Sequence, residues 1–246
     1  LLAKAQANNE NPSIVVDGNN DDWTGIEPLG VSTSPGFESF QIGSFYLTND
    51  SENLYFWVDA VNVPNWGENG HFINIALQIN DQDSGVTGNP WSSQFNFEGT
   101  EKKPQYHITF RLKNDREVEG AALYSTDNLS AEILASWGDL KGAEFAVDHK
   151  QGFEGKIPVK HLGLKNGDQI RAIVVLSGNN SAEHGAFDVI PEDPRNEIAD
   201  SWNESSQPNV MSVYTNPYVV SGLSDIELKS PVLNEDGTIT FYYTGS

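Results

Sequence analysis

Tyr106, Ile108, Phe110 and Leu112 alternate with Gln105, His107, Thr109 and Arg111. A period of two belongs to a strand with one face turned inward and the other turned away from the core. Residues 54–58 (Leu-Tyr-Phe-Trp-Val) and 170–176 (Ile-Arg-Ala-Ile-Val-Val-Leu) are nearly continuous apolar runs. They predict central strands covered on both faces. His71, Ile73, Ile75, Leu77 and Ile79 alternate with Phe72, Asn74, Ala76, Gln78 and Asn80. The second set is mostly small and polar, so it predicts a sheet face open to solvent. No segment carries convincing helical periodicity; the best, residues 129–140, is weak. Residues 160–164 predict one helical turn. Turn pairs Asn49-Asp50, Asn69-Gly70, Asn114-Asp115, Asn166-Gly167 and Asn179-Asn180 punctuate the strand runs, which recur every roughly 10–15 residues. The pattern predicts an all-β chain folded as an antiparallel, jelly-roll-like β-sandwich.

Composition narrows the chemistry. With 14 basic and 35 acidic residues the formal charge is −21. A surface so acidic repels phosphate backbones, which argues against nucleic-acid partners. No apolar run is long enough to span a bilayer. Cysteine is absent, which excludes disulfides, thiolate nucleophiles and cysteine-held metal centres. Ala5 and Ala7 near the start fit the tail of a signal peptide or an ordinary N-terminal segment equally well. No nucleophile elbow, His-Glu-x-x-His helix, Walker loop or dinucleotide fingerprint occurs. Spacing alone selects no carboxylate pair for glycoside hydrolysis from so many acids. His184 follows Glu183 in a Gly- and Asn-rich loop; the pair reads either as an acid–base couple or, more simply, as a hydrogen-bonded loop beside a ligand.

Six tryptophans need places. Trp57 sits inside a buried run, Trp23 plugs an end of the sandwich, and Trp137 stays unassigned. Trp66, Trp91 and Trp202 are flanked by loop formers (Pro64, Asn65 and Gly67; Asn89, Pro90 and Ser92; Ser201 and Asn203). An indole in such a loop is either a packing anchor or a flat platform for the apolar face of a sugar ring. Arg111, His107, Asn74, Gln78 and Gln94 can supply hydrogen bonds to hydroxyls. For cations, Asp17, Asn19 and Asp21 alternate around Gly18, and Asp81 and Asp83 form a second acidic turn. Oxygen ligands on tight turns suit Ca²⁺, although Asp-rich turns also occur without metal. The only methionine, Met211, lies in a polar late segment, which argues against a haem domain with Met and His axial ligands.

Residues 14–23 (Ile-Val-Val-Asp-Gly-Asn-Asn-Asp-Asp-Trp), 53–60 (Asn-Leu-Tyr-Phe-Trp-Val-Asp-Ala), Trp66 ahead of the run starting at His71, 106–114, and 152–168 with its Ile-Pro, Leu-Gly-Leu and Gly-Asp steps together resemble a DOMON-like sandwich. The order is similar to family-9 carbohydrate-binding modules, and closer still to accessory modules of bacterial amylopullulanases and related α-amylase-family enzymes. The resemblance spans roughly residues 12–216. It implies that Trp66 stacks on the sugar and that Arg111 hydrogen-bonds its hydroxyls. A second Trp from a late loop has no counterpart; that region holds His184, Phe187 and Asp188, with Trp202 further on. An open platform for an internal glucan segment then replaces a two-Trp clamp. The family also implies structural Ca²⁺.

The expected organisation is a flexible 1–11, the sandwich at 12–216, a linker at 217–227 and a hairpin at 228–246 around Asp236-Gly237. That hairpin resembles the opening of an immunoglobulin-like domain of pullulanases; the other reading is an edge hairpin of the main sandwich. The expected function is a non-catalytic, extracellular, monomeric module for α-glucans such as starch, pullulan and maltooligosaccharides, with a catalytic domain downstream in its parent chain. The alternative is a spacer or cell-surface adhesion domain that binds no sugar.

Overall fold

The computed structural model describes residues 13–63, 71–89, 93–114, 117–125, 132–135, 142–148, 150–178, 184–200 and 208–223, with four short strands beyond. In chain order the strands of the main body are β1 (Gly30–Val31), β2 (Gln41–Asn49), β3 (Asn53–Asn62), β4 (His71–Ile79), β5 (Phe95–Asn96), β6 (Tyr106–Asn114), β7 (Glu117–Ser125), β8 (Glu132–Ala135), β9 (Glu144–Asp148), β10 (Gly152–Pro158), β11 (Gln169–Ser177), β12 (Ala186–Ile190), β13 (Asn209–Val210) and β14 (Tyr218–Val219). One sheet runs β1-β2-β3-β10-β9 and the other β12-β11-β4-β6-β7-β8, with β14 also paired to β11. All pairings in both sheets are antiparallel. The all-β sandwich is therefore as the sequence predicts.

The core lies between the sheets and takes the alternate residues of each strand: Leu54, Phe56 and Val58 from β3, Ile73, Ile75 and Leu77 from β4, Ile170, Ala172 and Val174 from β11. Both apolar runs are covered on two faces, as expected. Tyr55 and Trp57 meet Ile14 and Trp23 on the outside of the first sheet. Ile173 and Val175 meet Phe95, Phe97 and Met211 on the outside of the second. The indole of Trp57 lies against the backbone of β10, where a Cβ on Gly152 would come within 2.3 Å of the ring; glycine there makes the close approach possible.

Two expectations are corrected. Every residue of β4 is buried, including Phe72, Asn74, Ala76 and Gln78. The small, polar face is not open. A third layer built from β5, β13 and neighbouring loops covers it and brings its own apolar side chains. Within residues 129–140, Glu132–Ala135 is a strand on the edge of the second sheet. Among the described residues the helices are three-residue 3-10 turns, one of them at Val159–His161, which overlaps the start of the 160–164 segment expected to turn.

Residues 217–223, expected as the start of a linker, are docked. Tyr218 and Val219 pair with Ile170 and Gln169, and Val220 is buried in the main core. The Asn49 amide donates to the Ser221 carbonyl at 2.7 Å, and its oxygen accepts from the Tyr218 hydroxyl at 2.7 Å. Further on, β15 (Glu227–Leu228) pairs with β18 (Tyr243–Thr244), and β16 (Val232–Leu233) with β17 (Ile239–Thr240). Among the described residues these ladders join neither main sheet.

Candidate functional site

Trp66, Trp91 and Trp202 fall in residues 64–70, 90–92 and 201–207, outside the described residues. Segment 64–70 leads into His71, the first residue of β4, and Phe72 sits opposite Ser177 at the end of β11. Ser177 in turn sits opposite Ala186 at the start of β12. The Ala186 carbonyl accepts from Ala199 N at 2.7 Å, close to segment 201–207. The Ala186 amide donates to Asn209 Oδ1 at 2.9 Å, just beyond that segment. Asn209 N donates to the Gln94 carbonyl and Gln94 N to the His184 carbonyl, at 3.0 and 2.9 Å. On either side of segment 90–92, Asn89 Nδ2 donates to the carbonyls of Ser93 and Phe95, and Asn89 Oδ1 accepts from Ser93 N. One ladder of hydrogen bonds thus gathers the flanks of all three Trp-bearing segments at one end of the second sheet.

Arg111 is at that end. It lies opposite Phe72 across the β4–β6 pairing and is half-buried. His184 is half-buried, with its ring 5.9 Å from that of Phe187. Its imidazole lies over Gly178, where any Cβ would meet Nδ1 at 2.3 Å. Asp188 is placed differently, only 3% exposed. Its oxygens accept from Ser32 Oγ at 3.0 Å, Ile42 N at 2.8 Å and Val189 N at 2.8 Å. Burial pushes its carboxyl up to about 7 against those three donors. The group is enclosed and its donors are internal; it ties β12 to the chain around β1 and β2.

Beneath the cover runs a polar stripe. Thr109 Oγ1 donates to Asn74 Oδ1 at 3.0 Å, and Asn74 Nδ2 donates to Ser177 Oγ at 3.0 Å. One step further along β6, His107 is fully buried, edge-on to Phe97 at 5.2 Å, with neither ring nitrogen hydrogen-bonded. The Gln78 Nε2 group nearby on β4 is likewise buried without a partner. Gln94 adjoins the site through its backbone bonds. Sequence reading grouped His107, Asn74 and Gln78 as surface donors; the structure puts all three under the third layer. Thr109 and Ser177 were missed. The period of two was the signal for Thr109, which shares a face with His107 and Arg111.

Of the residues proposed for metal, Asp17, Asn19, Asp81 and Asp83 already have partners. Asp81 forms an ion pair with Arg171 and Asp83 with Lys102. Asp17 Oδ1 accepts from Asn19 N at 2.8 Å, and Asn19 Oδ1 from Gln151 Nε2 at 3.2 Å. Asp21 is exposed in the first turn of a 3-10 helix. The amides of Asp17 and Gly18 both point at the carboxylate of Glu154, at 3.0 and 3.1 Å. A turn that presents N–H groups inward suits an anion, and Glu154 is that anion. Among the described residues no three imidazole or carboxylate groups come together as a metal site. The set at 17–21 does not fit calcium as it stands.

No family model matches the chain, and no curated protein matches it. Among solved structures it is similar to a family-9 carbohydrate-binding module from Caldicellulosiruptor kristjanssonii in complex with cellotriose, with a TM-score of 0.42 and 18% identity over 87% of this chain and 92% of that one. A family-9 module from the same organism in complex with glucose gives a TM-score of 0.39 and 16% identity, covering 87% and 94%. At these scores the likeness is one of outline and carries no functional argument.

Proposed function

We propose that this chain is a non-catalytic carbohydrate-binding module for neutral glucans, with its site at the end of the second sheet where β4 begins and β11 stops. The observation that carries the reading is the convergence of the flanks of three Trp-bearing segments on the ladder around Ala186. Indoles carried on those segments would suit the C–H face of a pyranose, and Arg111 at the same end suits its hydroxyls. The charge of −21 favours an uncharged polymer over an anionic one. The preference for α-linked glucans, an extracellular location and a glycoside hydrolase elsewhere in the parent chain rest on the sequence resemblance.

Affinity electrophoresis through amylopectin gels, with cellulose-derived and mixed-linkage glucans in parallel lanes, tests the reading. The expected result is retardation that Trp66→Ala weakens by about 1–3 kcal/mol, or roughly 5- to 150-fold in Kd. Retardation by β-linked glucans alone would keep the module and change its ligand. Migration unaffected by every glucan would leave a spacer or adhesion domain.

A further inference from the structure

A second concave site lies at the opposite pole of the same sheet. β4 is nine residues long, which separates its two ends by about 30 Å. At its far end a cleft of about 290 Å³ opens between the turn after β4, the start of β6, the end of β7 and the loop after Val159–His161. Ile79, Leu162 and the half-buried ring of Tyr106 give it apolar walls. Gln82, Ser84, Gln105, Ser125, Lys165 and Asp168 are among the residues that line the rest.

The rim is held rigidly by bonds that leave those groups in place. Asn80 and Asp81 both adopt left-handed backbone, with φ of +57° and +52°. Asn80 is clamped by its side-chain bonds to Asp168 Oδ1 at 2.7 Å and to Gln169 N at 2.8 Å. Gln105 Nε2 holds the carbonyls of Gln82 and Ser84, so that turn is fixed through its backbone. Such preorganisation lowers the ordering cost of binding.

Charge identifies the class of ligand. The carboxylates around the rim are already committed: Asp81 to Arg171, Asp83 to Lys102, and Asp168 to Asn80 Nδ2 and Lys165 N. A cation would have to break those pairs, and an anion would approach a strongly negative molecule. What suits amide and hydroxyl groups over apolar walls is a neutral, hydroxyl-rich ring. We infer that this cleft is a second saccharide subsite, so that the module holds one polysaccharide at two poles. The inference deepens the proposed function and stands on different residues.

The test is an amide-resolved NMR titration with maltotriose and, separately, cellotriose, on wild type, Trp66→Ala and Ser84→Trp. Ser84 uses only its carbonyl in the rim, so the larger side chain fills the cleft without removing a brace. Wild type is expected to shift both near Ala186 and near Gln105 and Ser125. Trp66→Ala should lose the first set alone and Ser84→Trp the second alone. A Gln82→Ala/Lys165→Ala double variant, which leaves all rim bonds intact, should weaken the second set roughly tenfold. Wild-type shifts confined to the Ala186 end would overturn the subsite and leave the proposed function standing. Shifts confined to the cleft would overturn the site at the Ala186 end and the two-pole reading, and leave the cleft as the one saccharide site. No shifts with either sugar would overturn both.

Discussion

Both sheets have a covered outer face, and the two covers treat polar groups in opposite ways. Outside the five-stranded sheet, residues 13–27 lay Ile14 and Trp23 over Tyr55 and Trp57. The buried charge there, Glu154, is 0% exposed. It accepts from Asp17 N, Gly18 N and Trp23 Nε1, the last at 2.7 Å. Burial raises the Glu154 carboxyl and the three donors pull it back. Trp23, which donates to this carboxylate, packs with its ring 6.5 Å from that of Trp57. Outside the seven-stranded sheet, the layer of β5 and β13 buries His107 and Gln78 Nε2 with no hydrogen bond at all. The first cover is a satisfied seal. The second is an apolar lid over a polar face. Burial therefore does not measure how well a layer is matched to what it covers; the count of partnered polar atoms does.

The first way to break the comparison is Glu154→Ala, with the largest expected effect. It leaves three donors facing an apolar pocket, at roughly 1–3 kcal/mol for each unsatisfied group. Urea unfolding should show a loss of about 3–5 kcal/mol. Glu154→Gln, which keeps one carbonyl oxygen, should lose less. A loss under about 1 kcal/mol would mean that the first cover is not sealed through this group.

His107 should show the opposite behaviour. Burial alone pushes its imidazole down to about 3. The folded protein therefore holds this ring neutral, while the unfolded chain takes up a proton below its ordinary 6.5. Stability is lost as pH falls from that value toward 3, by at most about 1.4 kcal/mol per pH unit. His107→Leu removes both the orphaned nitrogens and the titration. At pH 7 it should be neutral or mildly stabilising, since the lost ring made no hydrogen bond. At pH 4 it should exceed wild type by roughly 3 kcal/mol. Parallel acid-unfolding curves for the two proteins would show that the ring is not sealed from water and that the covers are alike.

These two residues also mark what could be read beforehand. Strand periodicity and doubly apolar runs placed β3, β4, β6 and β11 on their correct core faces, because burial between two sheets depends on a local pattern of two. The third layer was not legible. β5 and β13 are two residues each and pair in parallel across more than a hundred positions, so no local pattern announces them. Asn74, His107 and Gln78 looked solvated because polarity was the only guide to their surroundings. Glu154 gave no signal, since its partners lie 131 to 137 residues away in the chain. Asp188 looked like a ligand-facing acid because two of its three donors, Ser32 and Ile42, lie 156 and 146 residues away in the chain. The Trp-bearing segments read as loops from their Pro, Asn and Gly neighbours and lie outside the described residues. The shared address of their flanks around Ala186 came only from the fold.

The smallest effect sharpens the comparison within the second cover itself. Toward the Ala186 end the polar stripe is satisfied: Thr109 donates to Asn74 and Asn74 to Ser177. Thr109→Val keeps shape and removes one hydroxyl. Asn74 Oδ1 then loses its side-chain donor in a fully buried position, which should cost about 1 kcal/mol in chemical unfolding. The same exchange should leave the pH dependence unchanged, because nothing in the trio titrates. Restoring stability with Asn74→Leu on top of Thr109→Val would confirm that the cost lies in an unpaired amide and not in lost packing. The stripe would then be a network kept intact only at the end where the proposed sugar site lies, and abandoned to apolar burial beyond His107.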